Sequence, residues 1–261
     1  MAARAIWKGR IRFGKVDVPV KLYSAVESRT IHFRLLDEER KEPVRQQMVD
    51  PETDDPVEHA DVRRAVETES GALVMLSEEE LEALEPEPSR EIEILRFVPE
   101  QAISHPWYDR PYYLGPDGSD GEYAALASAL RAEERTGVAR WVMRKKAYAG
   151  ALRLKGDHLM LVTLRPASEV IPASALEPPE GRDLEKRELE MARQLIGAME
   201  DELDLAAFRD EYRDRVMELV EAKAAGKIVK FPKAPRKRKE KSLSEDLEKS
   251  LAAAKKARKS A

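Results

Sequence analysis

Apolar and polar positions alternate along most of the chain between residues 5 and 165. In residues 5–13, Ala5, Trp7, Gly9, Ile11 and Phe13 fall on one side, and Ile6, Lys8, Arg10 and Arg12 on the other. A period of two with one apolar side predicts a half-buried strand. The pattern returns in residues 18–26, with Val18, Val20, Leu22 and Val26 on one side; Pro19 lacks a backbone donor, so this strand begins at an edge or a bulge. Residues 31–36 read as a third short strand with Ile31, Phe33 and Leu35 inward, and residues 72–76 as an apolar fourth. Further strands are predicted at 91–98, 107–114, 138–146, 151–155 and 158–165, the last two joined by the tight-hairpin pair Gly156-Asp157. In 138–146, Ala139, Trp141 and Met143 oppose Arg140, Val142 and Arg144.

Two short helices interrupt the strands. Ser77-Glu78-Glu79-Glu80 has the form of a capping box opening a helix through Leu81 and Leu84, which Pro86 stops. Residues 122–131 carry Tyr123, Leu126 and Leu130 at helical spacing, after a turn at Gly115-Pro116-Asp117-Gly118. So much strand at this spacing suits a barrel or a sandwich. Beyond Pro178-Pro179 the period changes. Residues 183–203 have helical spacing through Leu184, Met191, Leu195, Met199 and Leu203. Asp204 is placed to cap a second helix with Phe208, Tyr212, Val216, Leu219 and Val220 on one stripe, ended by Gly226. Such stripes need cover, from the β domain or from another chain. Met191, Leu195, Met199, Phe208, Tyr212 and Leu219 are the expected packing residues.

Charge sharpens this outline. The chain has 46 Lys and Arg against 50 Asp and Glu, but residues 227–261 hold thirteen of those cations and only four of the acids. Residues 1–226 therefore carry 33 basic against 46 acidic side chains. An acidic body with a basic extension suits a protein that must find a polyanion and stay soluble, because Lys and Arg at phosphates release counterions without reading sequence. The extension is expected to be largely disordered, with a short capped helix starting near Ser242. Its candidate phosphate contacts are Lys233, Arg236, Lys237, Arg238, Lys239, Lys241, Lys255, Lys256, Arg258 and Lys259. Within the body, residues 1–21 and 131–165 are basic, whereas residues 37–100 hold 21 acidic and 7 basic side chains. The resulting candidates for a working face are Lys8, Arg10, Arg12, Lys21, Arg140, Arg144, Lys145, Lys146 and Arg153.

Tests for other chemistry come back empty. There is no cysteine, so thiolate ligands, thiol nucleophiles and disulfides are excluded together. The four histidines, His32, His59, His105 and His158, are isolated and form no ligand-spaced pair. No phosphate-binding glycine loop and no G-x-S-x-G elbow occurs. No apolar run approaches the roughly 18 residues of a membrane span. The sequence points to a non-enzymatic binding protein without cofactor, cytoplasmic and nucleoid-associated. Trp7, Trp107 and Trp141 read as core anchors.

The string Arg4-Ala5-Ile6-Trp7-Lys8-Gly9-Arg10-Ile11-Arg12-Phe13-Gly14, followed by Val18-Pro19-Val20-Lys21-Leu22-Tyr23-Ser24-Ala25, resembles the opening of the prokaryotic Ku family. The resemblance continues through Leu76–Leu81, Tyr108-Asp109-Arg110-Pro111-Tyr112-Tyr113-Leu114, Gly137-Val138-Ala139-Arg140 and Tyr212-Arg213-Asp214, and ends near residue 230. Gln46-Gln47-Met48 departs from it, standing where many relatives carry an Arg- and Cys-containing stretch. The resemblance implies an α+β, mainly β fold: a barrel core with a DNA-encircling arm over residues 1–180, a helical arm over 181–226 and the basic extension over 227–261. It further implies a homodimeric ring that threads ends of double-stranded DNA, and recruitment of an ATP-dependent DNA ligase for end joining. The alternative is a general, chromatin-like nucleic-acid binder acting through the basic extension.

Overall fold

In the computed structural model, which describes residues 4–178, 181, 183–227 and 250, the alternating stretches become a closed seven-stranded barrel. Its strands are β1 (Trp7–Phe13), β2 (Val16–Ser24), β5 (Glu91–Pro99), β6 (Tyr108–Pro116), β7 (Arg135–Met143), β8 (Lys146–Lys155) and β9 (His158–Leu164). The order around the barrel is β1-β2-β6-β9-β8-β7-β5, and β5 returns to β1 as the one parallel pairing, Ile11 opposite Ile92. Closure leaves these strands without a free edge. The inward sides supply Ile11, Val18, Val20, Leu22, Ile92, Leu114, Leu152, Leu159 and Leu161, all essentially inaccessible to solvent. Helix α2 (Asp120–Glu133) adds Tyr123, Leu126, Ala127 and Leu130 to the same core. The Tyr123 hydroxyl donates to the Leu114 carbonyl (2.6 Å) and accepts from the Leu159 amide (2.8 Å), tying the helix to two strands; burial pushes its pKa up.

Two glycines are required by close approach. A Cβ on Gly150 would lie 2.5 Å from the Trp141 ring and 2.8 Å from the Val162 carbonyl oxygen. One on Gly9 would lie 2.0 Å from the Trp7 ring and 2.6 Å from the Arg90 carbonyl oxygen. Trp141 is buried and stacks on Tyr148, ring centroids 5.4 Å apart, while Trp7 is half-buried against the core and Trp107 half-buried ahead of β6.

Between β2 and β5 the chain leaves the barrel for residues 25–90. This excursion contains the hairpin β3 (Arg64–Glu67) and β4 (Leu73–Leu76) and the helix α1 (Glu78–Ala83). The capping box is present: Ser77 Oγ accepts from the Glu80 amide and the Glu80 carboxylate accepts from the Ser77 amide. Residues 31–36 do not form a strand. A single bridge, Leu36 to Pro43, occurs there, and Phe33 and Leu35 are mostly exposed, because no neighbouring segment offers them a ladder. The strand predicted over 138–146 ends early: β7 stops at Met143, and β8 begins at Lys146. Arg144 and Lys145 take left-handed backbone conformations (φ 53° and 63°) and form the two-residue turn between β7 and β8.

The chain divides into two units, Met1–Ala175 and Leu176–Ala261. In the second, the helix expected over 183–203 is α3 (Lys186–Met199), leaving Leu184 and Leu203 outside it. The following helix α4 (Glu211–Ala224) starts later than expected. Asp204 caps only a single 3-10 turn, and Asp210 accepts from the Arg213 amide (3.0 Å) as the true N-cap, so Phe208 precedes the helix. Gly226 has φ 71°, with its amide donating to the Lys223 carbonyl and the Lys227 amide to that of Ala222, the closing motif of a helix. Met191, Leu195 and Leu219 are half-buried; Met199, Phe208 and Tyr212 are exposed. The predicted basic extension, apart from Lys227 and Ser250, lies outside the described residues.

Candidate nucleic-acid interface

With Ile11 and Phe13 turned inward, Lys8, Arg10 and Arg12 project from the outer side of β1. Register carries this basic side onto the neighbouring strands. Lys8 lies opposite Lys21 on β2, and Glu93 on β5 lies opposite Arg140 on β7. Lys8, Arg10, Arg12, Lys21 and Arg140 are thus gathered on the adjoining strands β2-β1-β5-β7.

They are not bare. Asp117, in the turn after β6, accepts from Lys21 (2.8 Å) and Lys8 (3.1 Å). Arg10 pairs with Asp17 (2.6 Å), Arg12 with Glu91, and Arg140 with Glu93 (2.6 Å). The hydrogen bond from Arg10 holds the Asp17 carboxyl below its ordinary pKa, and those from Lys21 and Lys8 do the same for Asp117. Reciprocally, the bonds to Asp17 and Asp117 raise Arg10 and Lys21. All these groups meet solvent, which screens their ion pairs, so each cation can exchange its carboxylate for a phosphate at small cost. The strip alternates in sign and is not uniformly positive.

The other candidates divide into separate places. Arg144 and Lys145 stand at the tip of the β7–β8 hairpin. Lys145 reaches Glu85 (3.1 Å) and Glu82 (3.8 Å), and the bond to Glu85 raises its pKa. Lys146 lies over the Tyr148 ring (5.6 Å). Arg153 packs over Tyr108 (5.5 Å) and lies 3.8 Å from Glu100. Lys233, Arg236, Lys237, Arg238, Lys239, Lys241, Lys255, Lys256, Arg258 and Lys259 fall outside the described residues.

The counter-acids were missed by sequence reasoning because a charge count does not show which strands are neighbours. The signal was present at Glu91-Ile92-Glu93, whose period of two turns both glutamates to the same outer side as the cations. Among the described residues, no three His, Cys, Asp or Glu side chains are grouped to hold a metal ion, and no helix is long and apolar enough to cross a membrane.

Comparison with known proteins agrees with the barrel. The family model described as the Ku70/Ku80 beta-barrel domain matches residues 12–191. The chain is 40% identical to the non-homologous end joining protein Ku of Pseudomonas aeruginosa, over 85% of this chain and 78% of that one. It is 37% identical to the protein of the same name from Coxiella burnetii, over 89% of this chain and 87% of the relative. A third relative, from Mycolicibacterium smegmatis, is 33% identical over 85% of this chain and 72% of its own length. With the barrel model and relatives of this similarity spanning most of its length, the chain belongs to the Ku family.

Proposed function

We propose that this protein binds the ends of linear double-stranded DNA, without sequence specificity, as a homodimeric ring, and that it recruits an ATP-dependent DNA ligase in non-homologous end joining. The observation that carries this reading is family membership across the barrel, with relatives named for end joining. Two physical features support it. The outer strip of Lys8, Arg10, Arg12, Lys21 and Arg140 offers exchangeable cations, as expected of phosphate contacts that position a duplex without reading it. The excursion over residues 25–90 exposes Phe33, Leu35, Leu73 and Met75 by more than half, an apolar surface that one chain leaves uncovered and a second copy would cover. The protein acts by binding, not catalysis, in the cytoplasm at the nucleoid.

The ion pairing of the strip favours one second reading, in which the basic extension does most of the binding as in a chromatin-like protein. Competition separates the two. A labelled linear duplex is bound by the full chain and challenged with unlabelled linear or covalently closed circular DNA of the same sequence. The ring reading expects the linear competitor to displace the label far more effectively per unit mass. Equal competition would sink it, because a basic extension needs no free end.

A further inference from the structure

A cavity of about 540 Å³ lies on the outer side of the barrel across β2, β6, β9 and β8, with Lys21 opposite its Gly115 and paired to Asp117 just beyond its Pro116. Its walls include Tyr23, Tyr113, Pro116, Lys155 and His158, with Gly115 between them. Register explains why these residues meet. Tyr23 lies opposite Tyr113, Lys21 opposite Gly115, and Lys155 opposite His158. Tyr113 is 40% exposed, and its ring meets His158 edge-on with centroids 6.4 Å apart. Gly115 carries no side chain, and a Cβ there would come within 3.2 Å of the Tyr23 ring, so the open floor of the cavity depends on this glycine.

Charge distinguishes this cavity from three others on the same unit. Those mix carboxylates with cations: Glu91 and Glu93 with Arg140, Glu82 and Glu85 with Lys145, and Glu78 and Glu79 with Arg63 and Arg64. The cavity between the tyrosines has no carboxylate in its walls, and Lys155 stands at its rim. Aromatic side chains beside a cation, with Asp117 and Asp157 near the walls but engaged by Lys21 and Arg131, suit a flat ring joined to a phosphate. Paired bases keep their faces inside the duplex stack, whereas unpaired bases present them to a protein.

We propose that this cavity binds unpaired nucleotides of a single-stranded overhang, with a base against Tyr113 and Tyr23 and its phosphate at Lys155. The proposal rests on the reading that the protein acts at DNA ends, and adds to it a subsite for the strand that continues past the duplex. Ends with an overhang are then held more tightly than blunt ends, although neither sequence is read.

The test uses the full chain and fluorescence anisotropy. The probe is a duplex closed at one end by a hairpin loop, its other end blunt or extended by a short oligothymidine strand. The unaltered protein is expected to bind the extended probe roughly tenfold more tightly than the blunt one. Tyr113→Ala and Lys155→Gln should each remove most of that difference while leaving blunt-end affinity in place, and Tyr113→Phe should keep it. Equal affinity for the two probes in the unaltered protein would overturn the proposal. So would a difference that survives both Tyr113→Ala and Lys155→Gln, or variants that weaken both probes alike. Free oligothymidine, bound by the unaltered protein and lost in Tyr113→Ala, reads the cavity even where linear and circular duplex compete equally. Failure of end recognition and failure of this subsite are therefore distinguishable.

Discussion

Asp117 stands between two lysines from different strands, accepting from Lys8 on β1 and Lys21 on β2. A carboxylate in that position stabilises the fold slightly and competes with DNA phosphate for the same two cations. Asp117→Asn keeps the size of the side chain and removes the competing charge. It is expected to tighten binding of duplex DNA by roughly two- to tenfold at low salt, within what an exposed ion pair is worth, and to steepen the salt dependence. An anisotropy titration at several salt concentrations checks both; unchanged affinity would show that Lys8 and Lys21 do not face the duplex. The pH dependence has a definite sign. The Asp117 carboxyl is held below its ordinary range by its lysine partners, so its contribution to stability is complete above the unfolded-state pKa and is lost as pH falls through the lower folded-state value. These positions also mark how far the site was legible. Alternation alone turned Lys8, Arg10 and Arg12 outward. Their neutralisation by Asp17, Glu91 and Asp117 follows from strand pairing, which the local pattern does not encode.

The same limit governs the elements. Strands with a buried neighbour on each side were legible because period two and burial coincide, as in Ile92 and Ile94 of β5 or Leu159 and Leu161 of β9. Residues 31–36 have the same period but only one isolated bridge, Leu36 to Pro43, so alternation there makes no strand. The β7–β8 turn was hidden for the opposite reason. Met143-Arg144-Lys145-Lys146 contains no Gly, Asn, Asp or Pro, yet both central residues adopt the left-handed conformation that the favoured two-residue hairpin turn requires. Residues with a Cβ hold that conformation at a cost of about 1–2 kcal/mol each, whereas the solvent-screened ion pair of Lys145 with Glu85 returns little. The double substitution Arg144→Asn with Lys145→Gly is therefore expected to raise stability by about 1 kcal/mol, read as a higher urea midpoint at an unchanged slope. The variant also removes two cations from the hairpin tip. If these residues contact phosphate, it will bind duplex DNA less tightly while being the more stable protein. A combined gain in stability and unchanged affinity would remove Arg144 and Lys145 from the interface.

At the scale of the whole molecule, sign and distance decide what the basic extension contributes. Residues 1–226 carry 33 basic against 46 acidic side chains, so the long-range field of the body repels DNA even though one side of the barrel presents cations. The remainder reverses that sign locally with thirteen basic against four acidic residues. The place to cut is set by helix α4, because the Lys227 amide closes it on the Ala222 carbonyl. Truncation after Lys227 keeps that bond and removes twelve of the thirteen cations. The truncated protein is expected to lose roughly tenfold or more in duplex affinity at low salt, with a shallower salt dependence, since fewer counterions are released. The deficit should shrink as salt rises and screens the repulsion by the body. If the proposed ring forms, preference for linear over closed circular DNA should remain, because topology would select ends and the extension would add only attraction. Affinities for both DNA forms, measured across a salt series, test this directly. A truncated protein that binds linear and circular DNA equally would move end recognition from the barrel and its arm to the extension.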